Sequence, residues 1–463
     1  MSDLFGALSM GQQSLQTQLS GLKLAGQNMA NVNNPNYSRQ RLEIASTNSS
    51  GVEVASIQQI RDTYLDKLML SEKSISGYLD SRLKNLEYME ASIGNAMVSL
   101  TEDTGGLSSG SSIFSDINGL FNSLNSLSND PSSGTNRILF INQAEQLTSN
   151  FNRLDNNITN LENNSISEIE LLIKKSNEII NQISDISTSI TKLETKDSSS
   201  ALILRDRRLE LLEQLGKIIP VDVESENGKN NFNINLNGES LLVDNKIKTR
   251  LVSKTNPDGK IQIFSSESGN KILIETGSIG AVSEYKNVTL PTVRAQINSI
   301  TKELSSKFNA EHAAGYSLLG SNGENLFLGT TSKDLQVNPQ ILKDQKLLQI
   351  SNRLGDAGNN EIILSMLELQ NEELGNLDGR SIVEVQADIV AEMGQSLSNA
   401  RSEYEDQKLL ENQLLQQRQS TSGVSLDEEI MQLVKFQRAF EASARFVSTI
   451  DNMIGTVINL GGK

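Results

Sequence analysis

The chain contains no cysteine and no tryptophan, a single histidine and six prolines, and aromatic residues make up only 4% of its 463 positions. Without cysteine there can be no disulfide scaffold, thiolate zinc site or cysteine nucleophile. The one histidine, His312, leaves no histidine metal cluster, and any Ser-His-Asp relay would have to rest on that single ring. Basic residues are also short, 41 Lys and Arg against 57 Asp and Glu for a formal charge of −16, with no compensating basic block. That balance speaks against nucleic acid and against anionic membranes as partners, since both are met by clustered Lys and Arg. No run approaches the ~18 consecutive apolar residues of a membrane span. The opening residues Met1 to Leu8 lack a basic segment followed by a sustained apolar one, so no cleavable secretory signal is expected.

What is present is helical periodicity. Leu8, Leu15, Leu22 and Met29 recur every seven residues, which predicts an amphipathic helix from about Leu4 to Met29. It should stop at Asn31-Val32-Asn33-Asn34-Pro35-Asn36, where Pro35 disfavours helix before it and asparagines favour turns. Gly51 to Ile57 alternates and reads as a strand; helical pattern resumes from Asp62 to about Leu100, breaks over Thr104 to Ser112 and returns from Ile113 to Leu127. The turn Asn129-Asp130-Pro131-Ser132-Ser133-Gly134 launches the longest run, Thr135 to Lys196, free of Pro and Gly and predicting a coiled-coil-like rod. A helix over Ala201 to Ile219 should fold back on it as an αα-hairpin.

From Pro220 to Val282 the pattern alternates, with turn signals at Asn227-Gly228, Asn237-Gly238 and Asp258-Gly259, and predicts a small β-rich insert. Helix is expected again from Val288 to Ala314, then a weakly periodic segment to about Asn360, then helices over Ser381 to Gln419 and Leu426 to Leu460. In the last, Leu426, Leu433, Phe440, Val447 and Ile454 fall seven apart. The expected fold is mainly α: a long antiparallel helical bundle or coiled-coil rod built from both chain ends, with a small β-rich inserted domain. Residues 1–45 with 425–463 form a terminal paired-helix domain; 46–219 with 283–424 a helical rod, its segment 320–360 irregular and outer; and 220–282 the β-rich outer domain.

No constellation carries chemistry. Glu311 beside His312 brings no second ligand or nucleophile, so a structural histidine is favoured. Arg205, Asp206, Arg207 and Arg208 lie among leucines on a helix and read as a solvated, salt-bridged face. Asp130 before Pro131 suits a turn or cap. The glycines at 105, 106 and 110 lack the spacing and the Lys-Ser/Thr of a phosphate loop. The expectation is therefore no enzyme, no cofactor and no metal.

The segment Ala30 to Gln40, with Asn31, Asn33, Pro35 and Tyr37, resembles the signature after the first helix of bacterial flagellar rod, hook and hook-associated axial proteins, with Asn34 and Asn36 where Thr and Gly are usual. Further blocks resemble the FlgK-type hook-associated proteins: Gly51 to Val54 with Ile60-Arg61-Asp62, Leu127 to Ser132, Arg205-Asp206-Arg207 leading to Leu215, Phe308 to Tyr316, and Ser422 to Glu429 with Phe436 to Phe440. The resemblance spans most of the chain.

It implies a structural subunit of a junction ring between hook and filament, exported through the flagellar type III apparatus to the cell exterior without a cleaved signal. Implied partners are other copies in a homo-oligomeric ring, hook protein, the second junction protein or filament, and an export chaperone at the C-terminal region. Other axial components, namely hook protein, flagellin or the second junction protein, are the alternatives, with a cytosolic coiled-coil scaffold behind them. Leu8, Leu15, Leu22, Met29, Leu426, Leu433, Phe440, Val447 and Ile454 are expected to carry subunit contacts, in helices that order fully on assembly. The segment from Leu318 to Asn360, where longer relatives insert an outer domain, is short and implies a reduced outer surface.

Overall fold

The computed structural model describes residues 2–47, 51–94, 97, 112–194, 201–225, 232–373, 375–377 and 379–461. The expected end of a helix near Leu100, the Gly/Ser break, its three glycines, the turn 197–200 and the Asn227-Gly228 turn lie outside them.

Helix α1 (Ser2–Ala30) is followed by a hairpin of β1 (Gln40–Thr47) and β2 (Gly51–Gln59), antiparallel with a bulge at Glu43/Ile44. Only β2 was expected. Its partner Gln40-Arg41-Leu42-Glu43-Ile44 carries the same alternation, hidden beside the turn motif. Helix α2 (Thr63–Met89) starts where the Asp62 side chain accepts from the amides of Tyr64 and Leu65, and passes into a π-turn at Glu90–Gly94. Then come α3 (Ile113–Asn129), the 61-residue α4 (Gly134–Glu194) and α5 (Leu202–Ile218). At 1.5 Å per residue α4 is about 90 Å long.

Two antiparallel sheets follow, one of β3 (Asp222–Ser225), β4 (Phe232–Leu236), β5 (Glu239–Val243) and β6 (Lys246–Ile247), the other of β7 (Leu251–Thr255), β8 (Ile261–Ser265) and β9 (Lys271–Ile272). Asn237, in the turn after β4, and Gly238 both have positive φ, as an Asn-Gly hairpin turn requires. Helix then returns earlier than expected: α6 (Gly277–Glu284) contains Val282, a π-turn spans Tyr285–Thr289, and α7 runs Leu290–Ala314. The strands thus end by Ile272, and Val282 is buried in a helix.

The 61 residues of α4 bridge two cores. Its N-terminal half, from Phe140 to Leu161, shares one with α3, α7 and the C-terminal part of the chain, where Phe308 lies 5.8 Å from Phe121 and 5.9 Å from Phe327 between ring centroids. Its C-terminal half, Ile169 to Ile183, packs with Leu211 and Leu215 of α5 and with Ile234, Leu242 and Ile263 of the sheets. The β-rich segment is therefore seated on the rod helix.

Segment 320–360 is irregular, with β10 (Phe327–Leu328), β11 (Gln336–Val337) and the short α8 (Pro339–Lys343), and Leu326, Phe327, Val337, Leu348 and Ile350 are buried in the first core. Its apolar residues come from two-residue strands and from irregular backbone, so they show no period. Helix α9 (Glu361–Glu368) precedes α10 (Ile382–Ser422), capped by a Ser381/Glu384 box, and α11 (Leu426–Gly461). α10 returns along α2, joined by Lys73 and Ser76 to Glu411 and by Gln407 to Glu72.

Candidate functional site

Helices α1 and α11, the two ends of the chain, lie antiparallel along a seam of small and polar residues. Gly11 faces Val447 and Phe446, the Ser14 and Ser443 hydroxyls share a 2.9 Å hydrogen bond, Gly21 lies under the Phe436 ring, and Asn28 Nδ2 donates to Glu429 Oε2 at 3.1 Å. These pairs advance by seven residues on one helix and retreat by seven on the other beyond Gly11. A Cβ at Gly21 would come within 2.6 Å of the Phe436 ring, and one at Gly11 within 2.6 Å of Val447, so glycine sets how closely the helices approach.

The expected contact residues flank this seam. Leu8, Leu15, Leu22, Met29, Leu433, Phe440, Val447 and Ile454 are partly buried and Leu426 is exposed. Val447 alone among them meets a seam glycine. Among the described residues, the apolar side chains of α1 and α11 that are fully buried are Leu24, Ala25 and Ile450. Phe5, Leu19, Ile430, Met431, Met453 and Ile458 are exposed, Met431 to 64% and Ile458 to 60%.

At one end of the seam, blocks far apart in sequence close on the turn after α1. Tyr37 is buried, and its hydroxyl donates to Asn28 Oδ1 at 2.8 Å; burial and the nearby Asp206 and Glu429 charges hold it protonated, far above the usual phenol range. Asn28 Oδ1 also accepts from the Gln40 amide, and its Nδ2 donates to the Gln40 carbonyl at 2.9 Å. Arg39 Nε donates to Glu429 Oε1 at 2.7 Å, with Glu428 on NH1, and the Arg39 amide donates to Ser422 O at 2.8 Å. Glu429 is only 3% exposed, and its two oxygens thus tie α11 to α1 and to the turn.

The same turn reaches the rod. Asp206 accepts from Ser38, and Arg418, near the end of α10, pairs with Glu213 of α5 and donates to Pro35 O at 3.4 Å and Asn36 Oδ1 at 3.3 Å. Asn31 bonds only locally, to Gln27 O, and Asn33 is exposed. Of the four expected turn residues, Tyr37 anchors the network and Pro35 supplies a carbonyl. Ser38, Arg39, Asp206 and Glu429 stand in the blocks that carry the resemblance but without an expected contact, and Asn28 and Arg418 stand in none. The Arg205–Arg208 block also needs correction: Arg205 pairs with Glu194 and Arg207 with Glu210, but Asp206 is buried, with its pKa raised to about 6 by burial against opposing hydrogen bonds from Ser38.

His312 is fully buried. Its Nδ1 donates to Glu324 O at 2.6 Å, its Nε2 accepts the Gln349 amide at 3.0 Å, and burial lowers its pKa to about 4. Both nitrogens being engaged, the ring staples α7 to the irregular segment.

Comparisons with known proteins place this arrangement. Residues 102–327 match the family model described as flagellar hook-associated protein FlgK helical domain, and residues 415–460 the one described as flagellar basal body rod FlgEFG protein C-terminal. The chain is similar to flagellar hook-associated protein 1 of Bacillus subtilis, at 24% identity over 100% of both chains, and to that of Escherichia coli, at 21% over 99% of this chain and 100% of that one. Those alignments extend over 527 and 563 positions, so these relatives carry segments that this chain lacks. A solved flagellar hook junction protein FlgK from Burkholderia pseudomallei matches 57% of this chain and 46% of its own, at 18% identity and a TM-score of 0.49. The chain is thus similar along its whole length to flagellar hook-associated protein 1, and its residues 102–327 match the FlgK helical domain.

Proposed function

We propose that the chain is a structural subunit of the bacterial flagellum that forms the junction between hook and filament and allows the filament to assemble on it. One observation carries the mechanical side of this reading: among the described residues, α1 and α11 fully bury only Leu24, Ala25 and Ile450 of their apolar side chains and leave the rest partly or largely exposed. Helices in proteins draw most of their stability from packing of an amphipathic face, and each apolar side chain moved out of water contributes about 1.5–3 kcal/mol. Lateral neighbours would cover Phe5, Leu19, Met431 and Ile458, and a closed ring of copies offers such neighbours to every subunit.

In this reading the terminal pair forms the innermost layer and the rod stands outside it. Hook protein and the second junction protein or filament are the axial partners, and the chain leaves through the flagellar type III apparatus with a chaperone on its C-terminal region. Charge buried in the terminal pair would be costly. In a null strain, cells should bear hooks without filaments by electron microscopy. The wild-type gene should restore filaments and Phe440→Asp should not, although its rod domain folds. Filaments built on Phe440→Asp subunits would refute the reading.

A further inference from the structure

Between α2, α5 and the strands β3 and β4 lies an open cleft of about 420 Å³ lined by Arg61, Lys67, Arg205, Arg208, Leu212 and Phe232. Four cations share it in a protein of net charge −16. Arg61 is neutralised by Asp66 at 2.8 Å and Arg205 by Glu194 at 2.7 Å. Among the described residues Arg208 has no ion pair: its guanidinium lies 4.1 Å above the Phe232 ring centroid, and its hydrogen bond is a long one, 3.4 Å, to the Ser187 hydroxyl. Lys67 is exposed at the mouth, with no ion pair among the described residues. Burial, with Arg205 and Arg61 close by, lowers the Arg208 pKa to about 10. Glu194 opposes this shift but is held by Arg205 and does not pair with Arg208 directly, so a buried guanidinium lines the cleft without a direct carboxylate partner among the described residues, an arrangement that marks a candidate binding site.

We propose that this cleft is a docking site for acidic side chains of a second copy of the chain, received by Arg208 and Lys67. The inference rests on the assembly reading above. Charge complementarity selects the occupant: each copy carries 57 acidic residues, and a subunit in a closed ring meets its neighbours at high local concentration. Arg208 supplies a planar fork suited to a carboxylate, pre-oriented by its stack on Phe232, and Lys67 adds a mobile point charge at the rim. The leucine and phenylalanine floor lowers the local dielectric, which strengthens a charge pair formed there.

The test uses the null strain complemented with the whole chain. Lys67→Glu, at an exposed side chain without an ion pair, should leave the thermal midpoint of the purified protein unchanged yet reduce the fraction of filament-bearing cells several-fold, and Arg208→Glu should reduce it further. A photo-crosslinking residue in place of Lys67 should yield, in sheared flagella, dimers of this chain joined through an Asp/Glu-rich peptide. Full filaments with Lys67→Glu, or crosslinks to a different protein only, would overturn the docking site while wild-type complementation leaves the junction reading standing. Failure of the wild-type gene to restore filaments would instead remove that reading, and this inference with it.

Discussion

Asp206 accepts hydrogen bonds from the hydroxyl of Ser38 at 2.9 Å and from its amide at 3.3 Å, across 168 positions of sequence. The contact joins the Arg205–Arg207 block of α5 to the turn after α1, so the rod grips the terminal helix pair through a buried carboxylate. Its folded pKa of about 6 lies above the ordinary value of 3.8. Between those values the folded state binds more protons than the unfolded one, so stability rises as pH falls and is lost as pH climbs through about 6. Comparing urea midpoints of wild type and Asp206→Asn from pH 7 to 4 should show this component, roughly 2–3 kcal/mol, absent in the variant.

His312 gives the opposite slope. Its pKa is depressed from 6.5 to about 4, so its contribution is complete above pH 6.5 and is lost as pH falls toward 4. His312→Ala removes a staple whose partners, Glu324 O and the Gln349 amide, lie in a buried environment. It should cost about 2–4 kcal/mol and flatten the thermal midpoint against pH below 6.5. An unchanged profile would show that the ring is not the titrating group.

Glycine at the seam gives a paired test. Gly21→Ala forces a Cβ against the Phe436 ring, whereas Gly26→Ala meets nothing within 4 Å. Gly26→Ala should stabilise α1 by about 0.5–1 kcal/mol, and Gly21→Ala should weaken the α1–α11 pair. Limited proteolysis of the free chain should show faster loss of both ends in Gly21→Ala alone.

Arg294 of α7 bonds Asp155, Glu162 and Thr159 of α4 at 2.9–3.0 Å, with Asp155 only 5% exposed. Arg294→Met strands the Asp155 carboxylate and leaves Glu162 with Lys286 at 3.7 Å, and should cost about 2–4 kcal/mol in chemical denaturation. Adding Asp155→Asn and Glu162→Gln should recover part of that loss; no recovery would place the cost in packing.

Much of the helical framework was legible because apolar spacing at three and four residues survives any tertiary context, and the turn after α1 because Pro35 and its asparagines punctuate locally. The register of α1 on α11 was not, since its seam is made of Gly11, Ser14, Gly21 and Asn28, which an apolar pattern counts as blanks. Asp206 sits among arginines and looks solvated until Ser38 arrives from elsewhere in the chain. Leu326, Leu348 and Ile350 were hidden because they reach the core from segments outside any helix or strand, where no period shows.

In the assembly proposed above, the two chain ends depend on neighbours for their order while the rod does not. Amide hydrogen exchange on the free chain and on assembled flagella measures this directly. The expected result is fast exchange in α1 and α11 of the free chain, slow exchange in α4 and α7, and strong protection of both ends after assembly. Protection of α1 and α11 in the free chain equal to that of α4 would contradict it.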